Sequence, residues 1–306
     1  MNDLHTHIDQ YLFYCEHQKM LNDKTLHAYR IDLAQFEDYI RKDRIDEVDS
    51  TLIEDYLVHL HQTYQPKTVK RKIASIKAFF HYLEFRDILK QDPFRKVQVK
   101  YREPIILPKI IPLNVIETLL QTVYAQRRTA TTKYQRRNAL RDAAVLELLF
   151  GTGMRISEVC SLKPQDIDLE NGVILIHGKG AKERRLQIGN QDVANILTEY
   201  ADDYSHEIDK AGYFFVNQSG HPYSDQAVRR IISKYASLSG IGMHITPHMF
   251  RHTFATSLLE SDVDIRYIQE MLGHSSITIT EIYTHVATAK QRDILRTKHP
   301  RNHFKV

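Results

Sequence analysis

Apolar residues recur at three- and four-residue steps through the first hundred positions, the spacing that lines one face of a helix. Leu26, Tyr29, Leu33, Phe36 and Tyr39 form one such stripe, and Val69, Ile73, Ile76, Phe80 and Leu83 another. Polar breaks near residues 22–23, 48–50 and 64–66 divide residues 1–100 into about four helices. Residues 93–112 hold four prolines and several basic residues without helical periodicity, and so read as an extended linker between two domains, with its core at 101–112. Residues 113–123 are amphipathic and helical. The polar, arginine-rich residues 126–142 read as a loop or an exposed helix extension, and the apolar residues 142–150 as a core helix ending at Gly151-Thr152-Gly153.

A helix over 156–162 places Glu158 one turn from Arg155. Residues 172–188 alternate in two runs around Gly178-Lys179-Gly180, the pattern of a β-hairpin with Lys179 at or near its tip. Residues 225–236 turn Val228, Ile231, Ile232 and Tyr235 inward and leave Arg229, Arg230 and Lys234 outside. Thr246-Pro247 has the form of a helix start, with proline where a missing N–H costs nothing. On that helix His248, Arg251, His252 and Ala255 share one face, and Phe250, Phe254 and Leu258 another. The pattern predicts that His248 and Arg251 are presented together on the side away from the core. A second helix from 262 or 263 to Leu272 stops at Gly273, suited to a left-handed cap, and a third begins near Ser276 or Thr278 and carries Tyr283. The fold class expected is mainly α, with a helical N-terminal domain (1–100) and an α-rich second domain (113–306) holding a small β-hairpin or sheet.

The 306 residues are enough for two cores, and an apolar fraction of 42% excludes a disordered chain. Lys+Arg 42 against Asp+Glu 38 gives only +4, so placement of basic residues matters more than their sum. On the helix after Pro66, Lys67, Lys70, Arg71, Lys72 and Lys77 are expected off the apolar stripe, either as a solvated face or as a track for a DNA backbone. Cys15 and Cys160 form no disulfide framework or zinc spacing, no run approaches bilayer length, and the N-terminus lacks a signal pattern. A cytoplasmic protein without a membrane role is expected.

Two tempting motifs fail. Gly172 to Lys179 has the spacing G-x5-G-K, one residue too long for a P-loop, and Gly180 stands where Ser or Thr should hold magnesium. His248 and His252 are four apart, but Arg251 rather than a glutamate lies between them, and 17 histidines make such pairs common. No metal and no cofactor is expected.

Arg155 in TGMRISE, Lys179 in the hairpin, H-x-x-R at His248 and Arg251, His274 in LGHSS and Tyr283 in IYTH resemble, in motif order, the tyrosine recombinases (phage integrase family). Any one of these residues alone would more often be a surface or packing residue; six in order are specific. The N-terminal part looks like the family's core-binding domain, and YTHVATAKQRDILRTKHPR is similar to the Xer recombinases of bacterial chromosomes. The basic stretch 126–137 is longer than the family pattern.

The resemblance implies a DNA clamp in which Tyr283 attacks the scissile phosphodiester, forming a 3′-phosphotyrosyl link. Arg155 and Arg251 would stabilise the transition-state charge, and His274 would add a hydrogen bond to the same phosphate. Lys179 would protonate the leaving 5′-oxygen, and His248 would help to take the tyrosine proton. Glu158 is either a carboxylate supporting a catalytic basic residue or a surface acid. Lys67, Lys70, Arg71, Lys77, Arg229 and Arg230 are candidate DNA contacts. The implied partners are double-stranded DNA with an inverted-repeat core site, accessory proteins, and three further protomers in a homo- or hetero-tetramer on two DNA sites. The tail (about 287–306, with Val286, Ile294 and Leu295 as apolar contacts) would dock on a neighbour or pack on its own domain. Strand exchange would pass through a Holliday junction and serve chromosome dimer resolution, integration or cointegrate resolution. Type IB topoisomerases share the catalytic set, and a DNA-binding architectural module with a dead site is the remaining alternative.

Overall fold

The computed structural model describes residues 3–98, 109–178 and 183–273. By its contacts the chain divides into two compact units, Met1–Ile106 and Leu107–Val306.

The first unit is built from α1 (Leu4–His17), α2 (Asp23–Ile40), α3 (Ser50–Thr63) and α4 (Pro66–Phe85). Asp3, Asn22 and Asp49 each cap a helix start by accepting a backbone N–H three residues on, and Pro66 opens α4. The expected stripes meet in an aromatic core in which Tyr11, Phe36, Phe79 and Phe80 are wholly buried. That core also encloses charge. Asp32 is fully buried and accepts from Lys72 Nζ at 3.1 Å and Ser75 Oγ at 3.0 Å, with Arg71 closing on it from a half-exposed position. Lys72 therefore lies on the buried side of α4 rather than off the stripe, because Asp32, Gln35 and the Tyr64 ring supply its partners.

Both ends of the stretch expected to be a linker belong to the units. Residues Pro93–Lys96 form a 3-10 turn that buries Phe94 in the first core, and Ile111 is wholly buried in the second, its N–H donating to Thr253 Oγ1 at 2.8 Å.

In the second unit α5 (Leu113–Thr129) and α6 (Lys133–Thr152) are followed by α7 (Ile156–Ser161). A three-stranded antiparallel sheet comes next, β1 (Ile167–Asp168), β2 (Val173–His177) and β3 (Glu183–Gln187) in that order. Then come α8 (Gln191–Asp203), α9 (Ser205–Ala211), α10 (Asp225–Leu238), α11 (Pro247–Glu260) and α12 (Ile265–Leu272). Helix α6 is the axle: from Ala139 to Leu149 every residue is buried, and α5, α7, α8, α10 and α11 all pack on it. The arginine-rich stretch is neither a loop nor a simple extension. It is the end of α5, a break at Ala130–Thr132 and the start of α6, where Thr132 and Gln135 form a capping box. Its arginines hold helices together. Arg127 pairs with Glu199 on α8, and Arg137 pairs with Asp203 at 2.9 Å and Glu207 at 2.7 Å while lying over the Tyr204 ring.

Candidate active site

Helix α6 must stop sharply for the chain to return toward α7, and Gly153 makes the stop at φ +62°. The position excludes any side chain, since a Cβ there would lie 2.6 Å from the Phe254 ring of α11 and 3.1 Å from Leu272 of α12. Three helix ends therefore meet at one point: the C-terminus of α6, the N-terminus of α7 and the C-terminus of α12.

Four charged side chains fill that junction. Arg155 immediately precedes α7 and is half-exposed. Its backbone N–H donates to Glu158 Oε2 at 2.8 Å, and its guanidinium to Glu158 Oε1 at 2.7 Å. Arg251 is buried, contrary to the expected exposed face of α11. Its two terminal nitrogens donate to the Gly153 carbonyl at 2.9 Å and to the Leu272 carbonyl. Helix α11 buries residues on nearly all sides, so its arginine had to find carbonyls that the helix ends leave unpaired. His248, one turn earlier, is exposed. His252 is half-buried: burial, with His248 and Arg251 acting in the same direction, pushes its pKa down.

The fourth residue, Arg184 on β3, is absent from the sequence reading. Its guanidinium grips both Glu158 oxygens, at 2.9 and 2.8 Å, and its Nε donates to the Met271 carbonyl at 2.8 Å. The signal lay in strand alternation: Arg184 shares its face with the buried Leu186 and opposes the buried Ile176 across the hairpin. An arginine on the apolar face of a strand needs a partner. Burial on its own would raise the pKa of Glu158, but hydrogen bonds from Arg184 and Arg155 outweigh it and bring the group to about 2. Glu158 is therefore a buried anion joining two guanidinia, not a surface acid. Together Arg184, Arg251 and, at the 3.5 Å limit, Arg155 address the carbonyls of Met271, Leu272 and Gly273, where the helix dipole favours cations.

Of the six expected catalytic residues, Arg155, Arg251 and His248 lie among the described residues. The structure gathers the two arginines with Glu158 at one junction. Lys179, His274, Tyr283, the helix expected to carry Tyr283 and the tail lie outside the described residues. In sequence, Lys179 falls in the connection between β2 and β3, and His274 follows Gly273 directly. Lys67, Lys70 and Lys77 on α4 and Arg229 and Arg230 on α10 are exposed, whereas Arg71 is engaged with Asp32.

Such a junction, with guanidinia held at fixed spacing by a carboxylate, suits an anion with several equivalent oxygens. Comparison with known proteins gives the same direction. The Phage integrase family profile matches residues 112–290, and the Phage integrase, N-terminal SAM-like domain profile matches residues 8–87. A protein of Agathobacter rectalis called Tyrosine recombinase is 63% identical over 304 residues, covering 99% of each chain. Tyrosine recombinase XerD of Staphylococcus epidermidis is 34% identical, covering 97% of this chain and all of its own. Among solved structures, XerH site-specific recombinase bound to palindromic difH substrate in a post-cleavage complex superposes with a TM-score of 0.72 at 22% identity, over 89% of this chain and 79% of that one.

Proposed function

This chain belongs to the phage integrase family of tyrosine recombinases, and from that membership we propose that it cuts and rejoins double-stranded DNA at an inverted-repeat core site through Tyr283. In this reading the Tyr283 oxygen attacks the scissile phosphorus, forming a tyrosyl O–P bond as the P–O5′ bond breaks. Its phenolic proton passes toward His248, and Lys179 donates a proton to the departing 5′-oxygen. Arg155, Arg251 and His274 hold the non-bridging oxygens as charge grows on them. The phosphotyrosyl bond keeps the energy of the broken one, so the reverse steps rejoin strands. Two pairs of protomers on two sites would exchange strands through a Holliday junction, the C-terminal tail linking neighbours. A cytoplasmic location accords with the absence, among the described residues, of any helix long and apolar enough to cross a membrane.

The observation that carries this reading is the pair Arg155 and Arg251, fixed at one helix junction by Glu158 and by the Gly153 and Leu272 carbonyls. The test uses a nicked duplex bearing a core site recovered by selection from randomised inverted repeats, in EDTA and without ATP. Wild type is expected to leave a 3′-linked covalent adduct on a denaturing gel, and Tyr283→Phe none. Binding without any wild-type adduct would leave only a DNA-binding architectural role. An adduct followed by supercoil relaxation, with no exchange between two sites, would indicate a topoisomerase-like enzyme.

A further inference from the structure

We propose that Arg184 is a positioning residue of the active site, acting through Glu158 to aim Arg155 and fastening β3 to the end of α12. The proposal rests on the recombinase reading above. Three observations carry it.

The first is the fork. Arg184 spends one donor on each Glu158 oxygen and its Nε on Met271, so a single planar group ties β3, α7 and α12 together. Both side chains are nearly buried, Arg184 at 11% and Glu158 at 7% exposure, so solvent competes weakly for the pairing. The second is the shared oxygen. Glu158 Oε1 accepts from Arg184 at 2.9 Å and from Arg155 at 2.7 Å, so a movement of either arginine moves the acceptor of the other. The third is the room made for it. Gly273, at φ +64°, lies against the Arg184 side chain, and a Cβ there would stand 3.0 Å from both its Cδ and its Nη1. The Gly273 backbone thus lies against this guanidinium at a distance that a glycine permits.

In sequence, Arg184 follows Lys179 by five positions and is the second residue of β3. The strand leading out of the Lys179 segment is therefore pinned to the carboxylate that holds Arg155. Lysine in place of Arg184 keeps the charge but offers a point ammonium instead of a fork, and one nitrogen cannot serve two carboxylate oxygens and a carbonyl in the same plane.

The test compares wild type, Arg184→Lys, Glu158→Gln and the double variant on the nicked substrate, with protein saturating so that adduct formation reports the chemical step. Arg184→Lys is expected to bind DNA within about twofold of wild type and to form adduct about 10- to 100-fold more slowly, the usual cost of a slightly misplaced catalytic group. In the Glu158→Gln background the same change should cost less than about threefold, because the route through the carboxylate is already cut. Thermal melts of all four show whether the fold is kept. Adduct formation by Arg184→Lys at the wild-type rate would overturn the proposal. So would an equal fold-loss in both backgrounds, which would make Arg184 independent of Glu158. A wild type that binds its site and forms no adduct would instead overturn the active-site reading itself, and this inference with it.

Discussion

Gly153 shows how much one residue can decide. Its carbonyl accepts from Arg251, its φ of +62° ends α6, and its missing Cβ admits the Phe254 ring. Gly153→Ala is expected to destabilise the second unit by about 2 to 4 kcal/mol, from left-handed backbone strain together with overpacking. Adduct formation should fall further than binding, because the carbonyl that fixes Arg251 shifts with the ring; denaturant melts and single-turnover cleavage measure the two effects. Residue identities of this kind were partly legible. Gly153 and Gly273 were readable as helix stops, and Arg155 as one turn from Glu158. The burial of Arg251 was not, because a helical wheel assigns one dry face, whereas α11 is enclosed on nearly all sides. Arg184 needed the strand register as well as the strand.

Among elements, the pairing of α2 with α4 is the one where charge sits inside an apolar seam. Asp32 occupies the stripe of Tyr29, Leu33 and Phe36, and Lys72 that of Val69, Ile73 and Ile76, each one position from its apolar neighbours. Two charges on two dry stripes are a readable sign that the helices face each other, although a charge in a helical pattern more often marks a solvated face. Asp32→Ala should cost about 3 to 5 kcal/mol, since Lys72 would stay buried without its carboxylate. Replacing both together, Asp32→Leu with Lys72→Met, should cost clearly less, and denaturant unfolding of the full chain compares the two variants. Helix count and order in this unit followed from periodicity together with the polar breaks near residues 22–23, 48–50 and 64–66. The break in the arginine-rich stretch did not, because its signal is the Thr132–Gln135 capping box within a polar run that also suits a loop.

For the whole molecule, a net charge of +4 conveys little, because many of the basic residues are occupied internally. Arg71, Arg127, Arg137, Arg184 and Arg251 each hold acids or carbonyls of the fold. Exposed Lys67 and Arg230 are different: replacing either by alanine should lower the slope of log affinity against log salt by about 1, if each meets one phosphate. Arg71→Ala should change that slope less and stability more, a contrast that filter binding over a salt series together with a melt would reveal. The two-unit plan was legible from the proline-rich stretch, although its edges were not, since Phe94 and Ile111 are core residues embedded in it.

Helix α12 is eight residues long, too short to persist by itself, and its closing carbonyls rest on guanidinia from β3, α11 and the residue before α7. The chain continues from that end toward Tyr283. Tension applied past Gly273 would be borne first by these three carbonyls, and so by Arg155, Arg184 and Arg251. The end of this short helix would thus act as a strain gauge read by three guanidinia.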